Sequence, residues 1–143
     1  MAPDPQRYEV STDQARLDLD FICAQLATTY WAADRTREVV AASLPGSLCF
    51  GAYEKATGRQ VGFGRVVTDG ATFSWVCDVI VDPSCRGQGI GRQLMFAIVT
   101  HPVVRVTNAM LGTKDAHGLY ERYGFRRREM MRRAAEEPLP TSP

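Results

Sequence analysis

Hydrophobic and polar residues change their period several times along the chain, and each change predicts an element. Tyr8–Ser11 alternates as a short strand would. Leu17, Phe21, Ile22 and Leu26 then recur at helical spacing after Thr12 or Asp13, either of which can cap a first helix. Asp34 or Thr36 opens a shorter helix through Val39, Val40 and Leu44, and Pro45-Gly46 ends it. Residues 48–53 and 60–68 read as a hairpin around the turn Ala56-Thr57-Gly58. Asp69-Gly70 signals a second tight reversal into a strand over 71–81. On that strand Trp75, Cys77, Val79 and Val81 share one face, and Ser74, Val76, Asp78 and Ile80 share the other. A helix follows over 89–100, with Pro102 marking its end, and then a short strand over 108–112. Residues 115–122 make a short helix with Asp115 near its N-terminus, closed by Gly124. Residues 125–131 make a last strand.

The predicted order is β-α-α-β-β-β-α-β-α-β, without internal repeats or a linker that would split domains. The meander is antiparallel, and the later strand-helix-strand step is parallel and right-handed. This is a mixed α/β sheet. The 143 residues suit a single domain with its core over about 6–131 and a proline-bearing flexible tail over 134–143.

Composition narrows the function. Hydrophobic residues make up 45% and charged residues 23%, enough apolar material for a packed core. Seventeen basic residues against sixteen acidic ones leave a net charge of +1, without the basic excess of a nucleic-acid binder. Arg126-Arg127-Arg128 and Arg132-Arg133 are answered by Glu129, Glu136 and Glu137, so they read as a solvated strand and tail. Cys23, Cys49 and Cys77 lie in apolar runs, as small hydrophobes do. With no C-x-x-C pair and no histidine close by in sequence, no metal site is expected. Cys85, in a glycine-rich loop, is expected to be exposed. A nucleophilic role would need a base, and none is visible beside it. The N-terminal residues lack the apolar run of a signal peptide, and no stretch approaches the ~20 apolar residues of a membrane span. A cytoplasmic protein is expected.

The chemistry concentrates at residues 81–92, VDPSCRGQGIGR. A helix N-terminus carries unsatisfied N–H groups and partial positive charge. Glycines bring those groups against an anion with no side chain between, which makes a phosphate site from main chain. Arg86 and Arg92 add guanidinium charge. The loop is not a P-loop, because neither lysine nor Ser/Thr follows Gly91. It also departs from the dinucleotide fingerprint. Its spacing is G-x-G-x-G, it lies past mid-chain, and the next strand ends in Leu111-Gly112-Thr113 without an acid.

Arg86-Gly87-Gln88-Gly89-Ile90-Gly91 resembles the R/Q-x-x-G-x-G/A loop of the GNAT acetyltransferase superfamily. Residues 116–125, AHGLYERYGF, resemble its later A-x-x-L-Y-x-x-x-G-F signature, at a matching distance and in a matching strand order. The resemblance spans about residues 6–131. It implies a mixed, mostly antiparallel, twisted sheet of six to seven strands with about four helices, the fourth and fifth strands splayed. It implies transfer of an acetyl group from acetyl-CoA to a primary amine of a small molecule or peptide, by direct attack. The alternative is a non-catalytic domain that binds acetyl-CoA or a partner. In the family pattern the main chain of Val79, Ile80 and Val81 pairs with the pantetheine arm, and residues Arg86, Gly87, Gln88, Gly89, Ile90, Gly91 and Arg92 meet the pyrophosphate.

Tyr120 matches the tyrosine that serves as general acid toward the leaving sulfur. Asp78 stands where a carboxylate often lies near the amine, as a base or as a structural hydrogen-bonding acid. Asp115 replaces a common asparagine, and either touches the cofactor or caps the helix. Thr113 either lines the cleft or finishes the fifth strand. Leu119 and Tyr123 are placed with the cofactor or as packing for the short helix. Tyr30, Trp31, Asp34 and Arg35, over the groove, are the expected substrate contacts. There an aromatic pair beside a carboxylate would hold a cationic amine or simply plug the sheet. Phe63, Arg65 and Phe73 complete the wall. A homodimer is common among such folds.

Overall fold

The computed structural model describes residues 4–142; residues 1–3 of the expected leaderless start and residue 143 of the expected tail lie outside them. Two compact units follow one another, divided between Thr113 and Lys114.

The first unit holds a five-stranded sheet in the order β1-β2-β3-β4-β5. The strands are β1 (Tyr8–Ser11), β2 (Leu48–Glu54), β3 (Gln60–Thr68), β4 (Phe73–Val81) and β5 (Asn108–Met110). β1 to β4 pair antiparallel in succession, and β5 lies parallel to β4. The alternation along β4 is realised in burial. Ser74, Val76, Asp78 and Ile80 are buried, while Trp75, Cys77, Val79 and Val81 are half-buried.

Period-two side-chain direction assigns the two faces their helices. On one face α1 (Leu19–Leu26) and α2 (Arg37–Ser43) bury Ile22, Leu26 and Val40 against Cys49, Phe63 and Ile80. On the other lies α3 (Ile90–Thr100), with Ile90, Leu94, Met95 and Ile98 turned inward. Gly62 lets α3 come close. A Cβ there would lie 2.9 Å from Leu94 Cδ1, 3.1 Å from Ala52 Cβ and 3.2 Å from Ile90 Cγ2.

Several expectations change. Among the described residues there are five strands and five α-helices, in place of six to seven and about four. Residues 125–131 form no strand. Arg126, Arg127, Arg128 and Glu129 put charge on both faces, and Met130 and Met131 are exposed, so no apolar face exists to bury. The first helix breaks in two. Asp13 caps a 3-10 turn over Gln14–Arg16, Leu17 is extended, and Asp18 starts α1 by accepting from the Phe21 amide at 3.1 Å. Two aspartates five residues apart thus compete for one start. Thr36, not Asp34, caps α2. Pro102 does end α3, but it also occupies the first turn of α4 (Pro102–Arg105), where its missing N–H costs nothing.

The second unit carries α5 (His117–Glu121), closed at Gly124, whose amide reaches the Glu121 carbonyl at 3.1 Å. Its N-cap is Ala116, so Asp115 does not cap it. Residues 131–142 hold no helix or strand.

Candidate functional site

The glycine loop sits where β4 gives way to α3. Gly87 and Gly89 take φ of 80° and 79°, a left-handed backbone that side chains resist. These two reversals lead the chain into α3. Among the described residues, the N–H groups from Gly87 to Arg92 find no acceptor. A Cβ placed on Gly87 would meet nothing within 4 Å, so the space beside Gly87 is open. Ile90 contributes main chain only, because its side chain is in the core. Arg86 and Arg92 are exposed beside the loop.

Contacts from distant strands hold the loop. The Tyr8 hydroxyl donates to Gln88 Oε1, and Gln93 Nε2 donates to the Tyr8 carbonyl at 3.2 Å, tying both ends of the loop to β1. Arg59 at the entrance to β3 pairs with Asp82 at 2.9 Å and donates to Cys85 Sγ at 3.4 Å. Cys85 is therefore buried, against expectation: the loop folds its thiol inward under Arg59. Tyr8 and Arg59 escaped the sequence reading because nothing local marks a residue some 80 or 25 positions away as a loop anchor.

Beside the loop the sheet opens. β4 pairs with β5 only over Phe73–Trp75, opposite Asn108–Met110. Among the described residues, Val79, Ile80 and Val81 have no strand on the edge facing away from β3. This is the gap implied for the fourth and fifth strands. A β-bulge precedes it: the β3–β4 register slips between Phe63 and Arg65, and Asp78 takes φ of 54°.

The bulge turns Asp78 into a buried junction, only 3% exposed. One carboxylate oxygen accepts from Trp31 Nε1 at 3.0 Å. The other accepts from Arg35 Nη1 at 2.7 Å and Arg65 Nε at 2.9 Å. Arg65 Nη1 also donates to Ser47 Oγ at 3.1 Å. Burial pushes the Asp78 carboxyl up, but the hydrogen bonds and charges of Arg35 and Arg65 together outweigh it and hold the group below the usual carboxylate range. A carboxylate so engaged is a weak proton acceptor. Its geometry is that of a positioning residue, pinning the α1–α2 connection to β4.

The expected substrate residues thus divide. Trp31 and Arg35 converge on Asp78, joined by Arg65 from the expected wall. Tyr30 is exposed and stands edge-to-face with Trp31 at 5.1 Å, and Asp34 is exposed. Phe63 is core, and Phe73 lies half-exposed at the start of β4. Thr113, half-buried, closes the first unit. In the second unit Tyr120 lies on α5 with its ring edge-to-face against Phe125 at 6.2 Å. Leu119 and Asp115 are exposed and Tyr123 is half-buried. Among the described residues, no helix is long and apolar enough to cross a membrane, and no cluster of His, Cys, Asp or Glu could hold a metal.

Residues 45–127 match the model of the acetyltransferase (GNAT) domain. A Gibberella zeae protein named as a candidate acetyltransferase is 35% identical over 106 residues; the alignment covers 62% of this chain and 60% of that relative's length. A crystal structure of a candidate GNAT-family acetyltransferase from Xanthomonas campestris is 40% identical, covering 94% of this chain and 96% of its own, with a TM-score of 0.85. A Mycobacterium tuberculosis protein crystallised in complex with CoA shares the fold at 20% identity and a TM-score of 0.70, over 90% of this chain and 77% of its own. With the domain model, the Xanthomonas structure and the loop-and-splay geometry in agreement, this chain belongs to the GNAT acetyltransferase family.

Proposed function

We propose that the chain is an acetyl-CoA-dependent N-acetyltransferase acting on a primary amine by direct transfer. The observation that carries this is the loop at the start of α3. Its unpaired N–H groups, reversed by Gly87 and Gly89, open beside the strandless edge of Val79–Val81. Donors aimed at an anion next to an extended edge suit a diphosphate continued by an amide-bearing arm. Gly87 to Arg92 would hold the diphosphate, with Arg86 and Arg92 adding charge. The edge of Val79, Ile80 and Val81 would pair with the arm. Thr113, Asp115, Leu119 and Tyr123 would border it.

Acetyl-CoA supplies an activated acyl group. The neutral amine nitrogen forms a bond to the acetyl carbon as the carbon–sulfur bond breaks. The proton lost from nitrogen passes to water, and the departing sulfur would take a proton from the Tyr120 hydroxyl, which regains one from water. Main-chain N–H groups of β4 near the bulge would stabilise charge on the acetyl oxygen. Holding both reactants in one groove supplies much of the rate. Asp78 acts here through Arg35, Arg65 and Trp31, whose positions it sets.

The test is thiol release from acetyl-CoA across a panel of primary amines, with CoA affinity measured by calorimetry. Saturable CoA binding together with turnover of at least one amine is expected. Tight binding with no turnover would make the chain a binding module, and absence of CoA binding would overturn the loop assignment.

A further inference from the structure

The charge balance around Asp78 reaches beyond the reaction class. Asp78 is the one carboxylate in the cluster, and two guanidiniums close on it. Asp78 and Arg65 act electrostatically on both adjacent thiols, Cys49 and Cys77, and Arg35 acts on Cys77. One negative charge against two positive ones leaves the junction with a net positive charge. Asp34, next to Arg35 in sequence, makes no ion pair among the described residues.

The two arginines are not alike. The Arg65 side chain is 13% exposed, and its Nε and Nη1 are committed to Asp78 and Ser47. Arg35 spends one N–H on Asp78, its side chain is 29% exposed, and Nε and Nη2 find no acceptor among the described residues. It is a guanidinium fixed at one corner with its remaining donors available. Arginine in that state suits planar or tetrahedral oxyanions. Trp31, 43% exposed but locked by its own bond to Asp78, and Tyr30 stacked edge-on against it, put an apolar wall beside the charge. The junction lies on β4 immediately before the edge proposed to carry the acyl arm.

We infer that the acceptor amine carries an oxyanion, a carboxylate or a phosphate, and that the free edge of Arg35 binds it. The inference rests on the N-acetyltransferase reading and adds the class of substrate. A polycationic acceptor would meet an unneutralised guanidinium at this position, with the Asp78 carboxylate already occupied by three donors.

The experiment compares kcat/KM of the full chain, with saturating acetyl-CoA, for three sets of primary amines of similar size: uncharged apart from the amine, carboxylate-bearing, and phosphate-bearing. One or both oxyanion sets should exceed the neutral set by about tenfold or more, the range of a charge-assisted hydrogen bond. The set that wins identifies the oxyanion. The preference should weaken steeply as salt rises. In R35Q the oxyanion preference should collapse through a rise in KM, and R35K should restore part of it. A neutral set preferred by the wild-type protein overturns the inference whatever the variants do. So does an equal loss on all three sets in R35Q, which is what simple disruption of the Asp78 junction would produce. Turnover without charge preference removes this inference and leaves the acetyltransferase reading standing; no turnover on any set removes both.

Discussion

Replacing Asp78 with asparagine isolates the charge of the junction from its shape. Asparagine keeps the volume and tolerates the left-handed backbone that Asp78 adopts at φ 54°. What it loses is the negative charge under three donors: Trp31 Nε1, Arg35 Nη1 and Arg65 Nε. A hydrogen bond to a charged group exceeds a neutral one by about 1 kcal/mol. Three of them give about 3 kcal/mol, near the low end for breaking a buried ion pair. The partial exposure of Arg35 keeps the value at that end. Asp78→Ala should cost about 1–2 kcal/mol more, because alanine resists the left-handed conformation.

The measurement is urea unfolding of wild type, D78N and D78A at neutral pH, where D78N should also melt about 6–12 °C lower. Acid provides a second readout. The folded protein holds the Asp78 carboxyl below its unfolded value, so between the two values the unfolded chain binds more protons and stability rises with pH. That contribution is complete above the ordinary range near about 3.9 and is lost as pH falls through the lower folded value. D78N should show a flatter acid limb than wild type. A D78N protein within about 0.5 kcal/mol of wild type, with an unchanged acid limb, would refute the view that Asp78 ties the α1–α2 connection to the sheet.

Three further outcomes are expected. Gly89→Val places a β-branched side chain at φ 79° and over the loop donors; calorimetry should show CoA affinity reduced at least ~30-fold, with a stability loss of about 1–2 kcal/mol. Unchanged affinity would count against the loop as the diphosphate site. Tyr120→Phe should lower kcat by about a hundredfold while leaving CoA affinity within about twofold, as befits loss of a proton donor; unaltered turnover would assign that proton to another group. Gly62→Ala forces a methyl group against Leu94, Ala52 and Ile90, so denaturant unfolding should report about 1–3 kcal/mol of destabilisation. Because the same contact seats α3, CoA affinity should fall as well; a fully stable G62A protein would mean the helix shifts freely on the sheet.

Local signals carried far in this chain. The bounds of β3, the alternation along β4 and the start of α3 after Gly89 were all legible, because each follows from side-chain period, glycine freedom or a turn dipeptide acting over a few residues. The pair of signatures around Gly89 and Tyr120 was enough to suggest the family. What the sequence could not decide is what non-local pairing decides. Over residues 125–131 the alternation needed an apolar face that the arginines deny. Asp13 and Asp18 both offered caps, and packing kept each for a different turn. Most of all, Trp31, Arg35 and Arg65 reach Asp78 across 47, 43 and 13 residues. No periodicity links such positions. They meet because a bulge in β4 turns one carboxylate under the α1–α2 connection, where among the described residues those arginines and that indole are its side-chain partners.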